Sequence, residues 1–166
     1  MKRIFCFALA ICICLGAGCC LAEGDAQYPG IAGPYQWLGY ELNVQSVQVA
    51  PGGELFSTGT LGTRFVKDDN RILSQIKETM LQICLTGGED GVAFADLTPD
   101  NIQQFALKDE NGEEIPLYCW SWWGVGYSDE KGFGSYDQQE GFFLFYFLPD
   151  GVAPETLTLT VEAPAE

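Results

Sequence analysis

The chain has no histidine among its 166 residues. That absence removes the Ser-His-Asp and Cys-His nucleophile systems, and every histidine-ligated zinc, copper or iron site, at once. Basic residues are scarce as well, 8 Lys and Arg against 23 Asp and Glu, for a formal charge of −15. Nucleic acid is therefore excluded as a partner, because phosphate binding needs clustered Lys and Arg, and an anionic membrane surface is disfavoured for the same reason. No stretch supplies the roughly 20 apolar residues of a membrane-spanning helix unless the glycines and cysteines near residue 18 are counted into it. No internal repeat is present, and no rhythm of strand then helix.

The N-terminus carries Met1-Lys2-Arg3, then Ile4 to Leu15 without a charged side chain, then Gly16, Ala17 and Gly18. These are the three regions of an export signal. Two cuts fit it. Cys20-Leu21-Ala22 before Glu23 obeys the small-x-small rule, giving a signal peptide over 1–22 and a soluble product. Leu15-Gly16-Ala17-Gly18-Cys19 resembles a lipobox, in which Cys19 becomes a lipid-modified N-terminus, although Gly16 stands where that pattern has Leu, Val or Ile. Either cut leaves the protein outside the cytoplasm, secreted or lipid-anchored at the cell surface. Its contact with the membrane then runs only through the leader or a lipid on Cys19.

Without residues 1–22 the chain is 144 residues long, room for one domain with a real core. It then keeps 6 basic residues against all 23 acidic ones, a formal −17. Such acidity reads first as solubility and second as an affinity for calcium or cationic ligands. Five of the seven cysteines go with the leader, leaving Cys84 and Cys119. In an exported chain that pair is either a disulfide or two buried thiols packed as small hydrophobes.

Residues 23–36 are rich in Gly and Pro without a period and read as a flexible linker, so the domain is expected over 37–166. Leu42 and Val44 alternate, then Val47 and Val49 resume one residue out of phase, which a bulge near Gln45 explains. Phe142 to Leu148 is apolar on both faces and stops at Pro149-Asp150-Gly151, a central strand closed by a turn. Phe105 and Leu107 lead into Asp109-Glu110-Asn111-Gly112, and Ile115 and Leu117 lead out, a β-hairpin. Leu157, Leu159 and Val161 alternate with threonines in a half-buried strand. Thr98-Pro99-Asp100 reads as the cap of one short helix. Residues 70–78 fit helix or strand, and a strand begins near Thr79. Strands near 40–50, 63–67, 79–86, 92–97, 104–108, 114–122, 142–148 and 156–162 predict an all-β sandwich of seven or eight antiparallel strands with at most one short helix.

The opening strand Tyr40 to Ala50, the hairpin Phe105 to Glu114 and the closing Gly141 to Val161 together resemble the immunoglobulin-like domains of Gram-positive secreted proteins and lipoproteins of unknown function. The resemblance implies an immunoglobulin-like β-sandwich at the cell surface and carries over no catalytic residue.

Chemistry has few footholds in this sequence. Gly132-Phe133-Gly134-Ser135-Tyr136 is not a nucleophile elbow, and Gly124-Val125-Gly126 lacks the third glycine of a dinucleotide loop. Asp109-Glu110-Asn111-Gly112 begins like a calcium loop but reads better as the hairpin turn, and Asp68-Asp69-Asn70 reads as a solvated turn. No metal site, cofactor or catalytic residue is assigned. The unusual segment is Tyr118-Cys119-Trp120-Ser121-Trp122-Trp123 and, beyond it, Tyr127. On a regular strand Tyr118, Trp120 and Trp122 share a face, which is either core or a stacking platform for a ligand that Trp123 and Tyr127 extend. These five are the candidate binding residues. The expected function is a non-catalytic binding or interaction module for an extracellular protein or glycan. A carbohydrate-binding module on the aromatic platform is the alternative, and a carboxylate-dependent glycoside hydrolase the least favoured third.

Overall fold

A computed structural model describes residues 27–56, 61–67, 69, 71–88, 91–123 and 138–162. The expected leader over 1–22, with the alternative cut at Cys19, and Tyr127 lie outside them. The fold is all-β, with antiparallel sheets packed face to face. Its strands are β1 (Tyr35–Trp37), β2 (Tyr40–Pro51), β3 (Leu61–Phe65), β4 (Thr79–Thr86), β5 (Val92–Ala93), β6 (Phe105–Lys108), β7 (Glu114–Ile115), β8 (Leu117–Trp123), β9 (Gln138–Gln139), β10 (Gly141–Phe147) and β11 (Thr158–Val161). Six form one sheet in the order β1-β2-β4-β10-β8-β3, three form a second, β11-β6-β7, and β5 pairs with β9.

Alternation decides what each face carries. Along β10, Phe142, Leu144 and Tyr146 point inward, toward the second sheet, and along β4 Leu81, Ile83 and Leu85 do the same. They meet Phe105 and Leu107 of β6, Ile115 of β7 and Leu159 of β11. Phe142, Leu144 and Tyr146 are fully buried, each contributing roughly 2 kcal/mol of apolar burial. The Tyr146 hydroxyl donates to the Phe105 carbonyl at 3.4 Å, joining the two sheets through the core. Burial pushes its phenol pKa up, so it stays a neutral donor.

The expected bulge is present: the β2–β4 register slips between Val44 and Ser46. The hairpin is also as read, with the Gly112 N–H donating to the Asp109 carbonyl at 3.0 Å and Gly112 at φ +79°, the left-handed turn position. Thr98 Oγ1 caps a four-residue helix by accepting from the Asn101 N–H at 3.3 Å.

Four expectations need correction. The expected linker is structural from residue 27: Tyr28 and Ile31 are buried in the core, and β1 begins at Tyr35. Its glycines and prolines shape turns that fold these side chains under the sheet rather than spacing out a tether. Among the described residues two short helices stand where at most one was expected, α1 (Gly52–Leu55) and α2 (Pro99–Ile102). Residues 73–75 form a single 3-10 turn, neither of the two readings of 70–78, and the strand expected over 92–97 stops at Ala93. Of the two readings left open for Cys84 and Cys119, the structure has the second, and both are buried free thiols. Cys84 faces Phe143 and Cys119 faces Phe145 across opposite edges of β10, so they stand two strands and two residues apart. Two inter-strand steps alone come to about 9.5 Å, beyond the roughly 7 Å limit for bridging Cα atoms.

Candidate functional site

The site lies on the outer face of the six-stranded sheet. There the alternate residues are Met80, Gln82 and Cys84 of β4, Phe143, Phe145 and Phe147 of β10, and Cys119 and Ser121 of β8. Among the described residues no second sheet covers them. A strap leaves β2 at Pro51, turns through α1 and stacks Phe56 on Phe145 at 4.5 Å. It returns through Leu73 and the buried Ile76. The Gly53 N–H donates to the Ile76 carbonyl at 2.8 Å and the Gly52 N–H to the Glu78 carbonyl at 3.0 Å, pinning the two passes together.

The candidate aromatic row does not form one platform. The β8–β10 register pairs Phe145 with Cys119 and Tyr146 with Leu117, so Tyr118 is the extra residue of a β-bulge. The bulge turns Tyr118 to the outer face, while Trp120 stays inward, 1% exposed in the core. Trp120 is thus a packing residue, with its Nε1 unpartnered. Trp122 is half-buried at the end of the inner face, between the Phe94 ring at 5.0 Å and the Arg64 guanidinium at 5.3 Å. Its ring also covers Gly62, where a Cβ would collide with it. Trp123 points outward and packs on Phe143 at 6.3 Å. Alternation fails because one inserted residue flips everything on one side of it.

Tyr118 instead joins an assembly that the sequence reading missed. Its hydroxyl donates to Asp69 Oδ2 at 2.7 Å. Asp69 also accepts from the Arg71 N–H and Nε–H, each at 2.8 Å. Arg71 Nη1 reaches Glu78 Oε1 at 3.2 Å. The guanidinium lies over two rings, 5.1 Å from the centre of Tyr118 and 4.6 Å from that of Phe147. Those rings are themselves 4.5 Å apart, with Phe65 edge-on to Tyr118 at 5.5 Å. The Tyr118 hydrogen bond, followed by those from Arg71, holds the Asp69 carboxyl down at about 2. Burial, then the bond to Asp69, raises the Tyr118 phenol. Asp69 is therefore not the solvated turn the sequence suggested but the hub of a closed ionic contact.

Beside this contact opens a cleft of about 500 Å³, lined by Arg71, Lys77, Glu78, Phe147, Leu148 and Asp150 among others. The sequence signal for it was the distribution of cations: Arg64, Lys67, Arg71 and Lys77 are four of the six basic residues beyond position 22.

A second feature of the outer face surrounds Phe143. Gln82 Nε2 and Ser121 Oγ are buried without a hydrogen-bond partner. The Cys84 thiol donates to Gln45 Oε1 at 3.3 Å, and burial pushes it up to about 12, which keeps it protonated and unreactive. Among the described residues no group of three or more Cys, Asp or Glu is placed to hold a metal ion. Comparison with protein-family models, with curated proteins and with solved structures found no match.

Proposed function

We propose that this protein is an extracytoplasmic, non-catalytic binding module whose contact surface is the outer-face cleft beside Arg71, rather than the row of tryptophans. The observation that carries the reading is the cleft itself: the Phe147 ring, a guanidinium and the carboxylates of Glu78 and Asp150 meet in the wall of a cavity of about 500 Å³, on the sheet face that no second sheet covers among the described residues. Pockets with an apolar wall and a few convergent charged groups are built for recognition. Hydrolysis is supported less well, because a general acid needs a raised carboxyl, whereas Asp69 and Asp109, among the described residues, are both lowered by the hydrogen bonds they accept. The leader at residues 1–22 supports export. Two antiparallel sheets closing on a core that holds Trp37 and Trp120 support kinship with immunoglobulin-like surface domains.

The reading is tested by photo-crosslinking on intact producing cells, with benzoylphenylalanine placed at Thr79 or Leu148 on the cleft, at Trp123, and at Thr156 as a remote control. Discrete adducts from Thr79 and Leu148 alone are expected. Adducts arising only from Trp123 would return the contact surface to the tryptophans, and turnover of glycosides by the purified protein would replace binding with catalysis.

A further inference from the structure

The Arg71 guanidinium has the surroundings of a bound ligand. Two ring faces lie within 5.1 Å of it, Asp69 accepts its Nε–H and Glu78 an Nη1–H, and the same Asp69 also holds the backbone N–H of Arg71. Aromatic faces attract cations through their ring quadrupole, and a carboxylate on the rim adds the directional bond that suits a planar guanidinium. Three observations point past a purely structural role. Both salt-bridge partners come from within seven residues of Arg71, so the contact ties the strap mostly to itself. The Arg71 side chain is 43% exposed and forms part of the cleft wall, so it can swing out without unpacking the core. With Arg71 displaced, the charges beside the seat among the described residues are Lys77 against Asp69, Glu78 and Asp150, in a chain of formal charge −15. The empty seat is then an anionic, aromatic-walled pocket continuous with the cleft.

We propose that Arg71 is the protein's own occupant of a guanidinium-binding seat, and that the ligand of this cleft carries a guanidinium group, free or on the arginine side chain of a peptide. The proposal rests on the cleft being the contact surface. The ligand enters along Leu148 and Phe147, displaces Arg71, and takes over its contacts with Tyr118, Phe147, Asp69 and Glu78. Because the internal arginine competes, the unaltered protein binds with an affinity reduced by the fraction of time the seat is open. Removing the competitor removes that reduction.

The test is a titration of the purified domain, residues 23–166, followed by amide chemical shifts at Lys77 and Leu148. The probes are L-arginine, N-acetyl-L-arginine amide, and N-acetyl-L-citrulline amide, the uncharged isostere. Arg71→Ala is expected to bind at least one arginine probe about tenfold more tightly than the unaltered chain, with no response to citrulline. Stronger binding of free arginine marks a small-molecule ligand, and stronger binding of the amide marks a peptide. Adding Phe147→Leu to Arg71→Ala should abolish the gain. Should Arg71→Ala fail to fold, Arg71→Gln, which keeps a hydrogen-bond donor toward Asp69, carries the same expectations. A folded variant that binds arginine no better than the unaltered chain, or citrulline equally well, overturns the proposal. Because these probes report ligand class and the cell-surface adducts report position, failure of this proposal and failure of the contact-surface reading are told apart.

Discussion

The two faces of the six-stranded sheet are made by the same three central strands, and alternate residues give them opposite characters. Inward, Leu81, Ile83, Leu85, Trp120, Phe142, Leu144 and Tyr146 meet a second sheet and form one continuous core. Outward, Met80, Cys119 and Phe145 share their surface with Gln82, Cys84 and Ser121 under a short strap. A face closed by another sheet can be apolar throughout, because every hydrogen bond it needs is made along the strands. The outer face keeps polar groups, some without partners, and an open cleft. Stability is concentrated on the first face, and the recognition proposed above would fall on the second.

The sharpest test of that division compares one aromatic truncation on each side. Trp37 is 1% exposed and contacts Phe105 and Phe142 within 5.6 Å, while its Nε1–H donates to the Asn101 carbonyl at 3.0 Å. Trp37→Ala should cost about 3–5 kcal/mol in urea unfolding. Phe147→Ala, on the half-buried outer side, should cost less than half of that. Equal losses would break the comparison.

Next in size is Gly62→Ala. Gly62 has φ +56°, and the Trp122 ring occupies the space a Cβ needs. The left-handed backbone alone costs an alanine about 1–2 kcal/mol. The displaced ring should also red-shift the tryptophan emission. A variant with unchanged stability and emission would show that Trp122 is not seated on this strand.

How much of this was legible in the sequence follows from which interactions are local. The strand at Gly141 to Phe147, the bulge in β2 and the turn at Gly112 are set by neighbouring side chains, and reading them in order located them. The bulge at Tyr118 left no local mark, because Leu117-Tyr118-Cys119-Trp120 alternates plausibly either way and only pairing with β10 decides it. The expected linker had the composition of a tether, yet Ile31 is buried by chain more than a hundred residues away, beside Leu157. For the site, the sequence pointed to a neighbourhood that contains Tyr118. It missed Arg71 and Phe147, which meet only once β10 and the strap are packed. The bunching of cations over 64–77 was the visible clue.

Third comes a gain rather than a loss. Gln82 Nε2 and Ser121 Oγ are buried without partners, each carrying an uncompensated desolvation cost. Gln82→Met keeps the volume and removes that cost, and Ser121→Ala removes a hydroxyl. Each should stabilise the domain by up to about 1 kcal/mol, read from the urea midpoint. A loss above that size would mean these groups hold the outer face together and the two faces are alike.

The smallest effect is expected from acid, and it isolates the outer-face contact alone. The Asp69 carboxyl falls from its ordinary 3.8 to about 2 in the folded chain, chiefly through the Tyr118 hydroxyl and then through Arg71. A depressed carboxyl binds its proton more readily once unfolded, so its contribution is complete above 3.8 and disappears as the pH falls toward 2. With 23 acidic residues titrating together, the effect must be read as a difference between two chains. The urea midpoint of the unaltered domain minus that of Asp69→Asn should be steady above about pH 5 and shrink steadily between pH 4 and 2. Tyr118→Phe removes the largest cause, so it should weaken that pH dependence while leaving part of it to Arg71. The inner face contains no carboxylate among its buried residues, so Leu144→Ala should lower the midpoint by the same amount at every pH in the range. A difference curve for Asp69→Asn as flat as that of Leu144→Ala would mean that Asp69 is solvated after all, and the seat around Arg71 would lose its anchoring carboxylate.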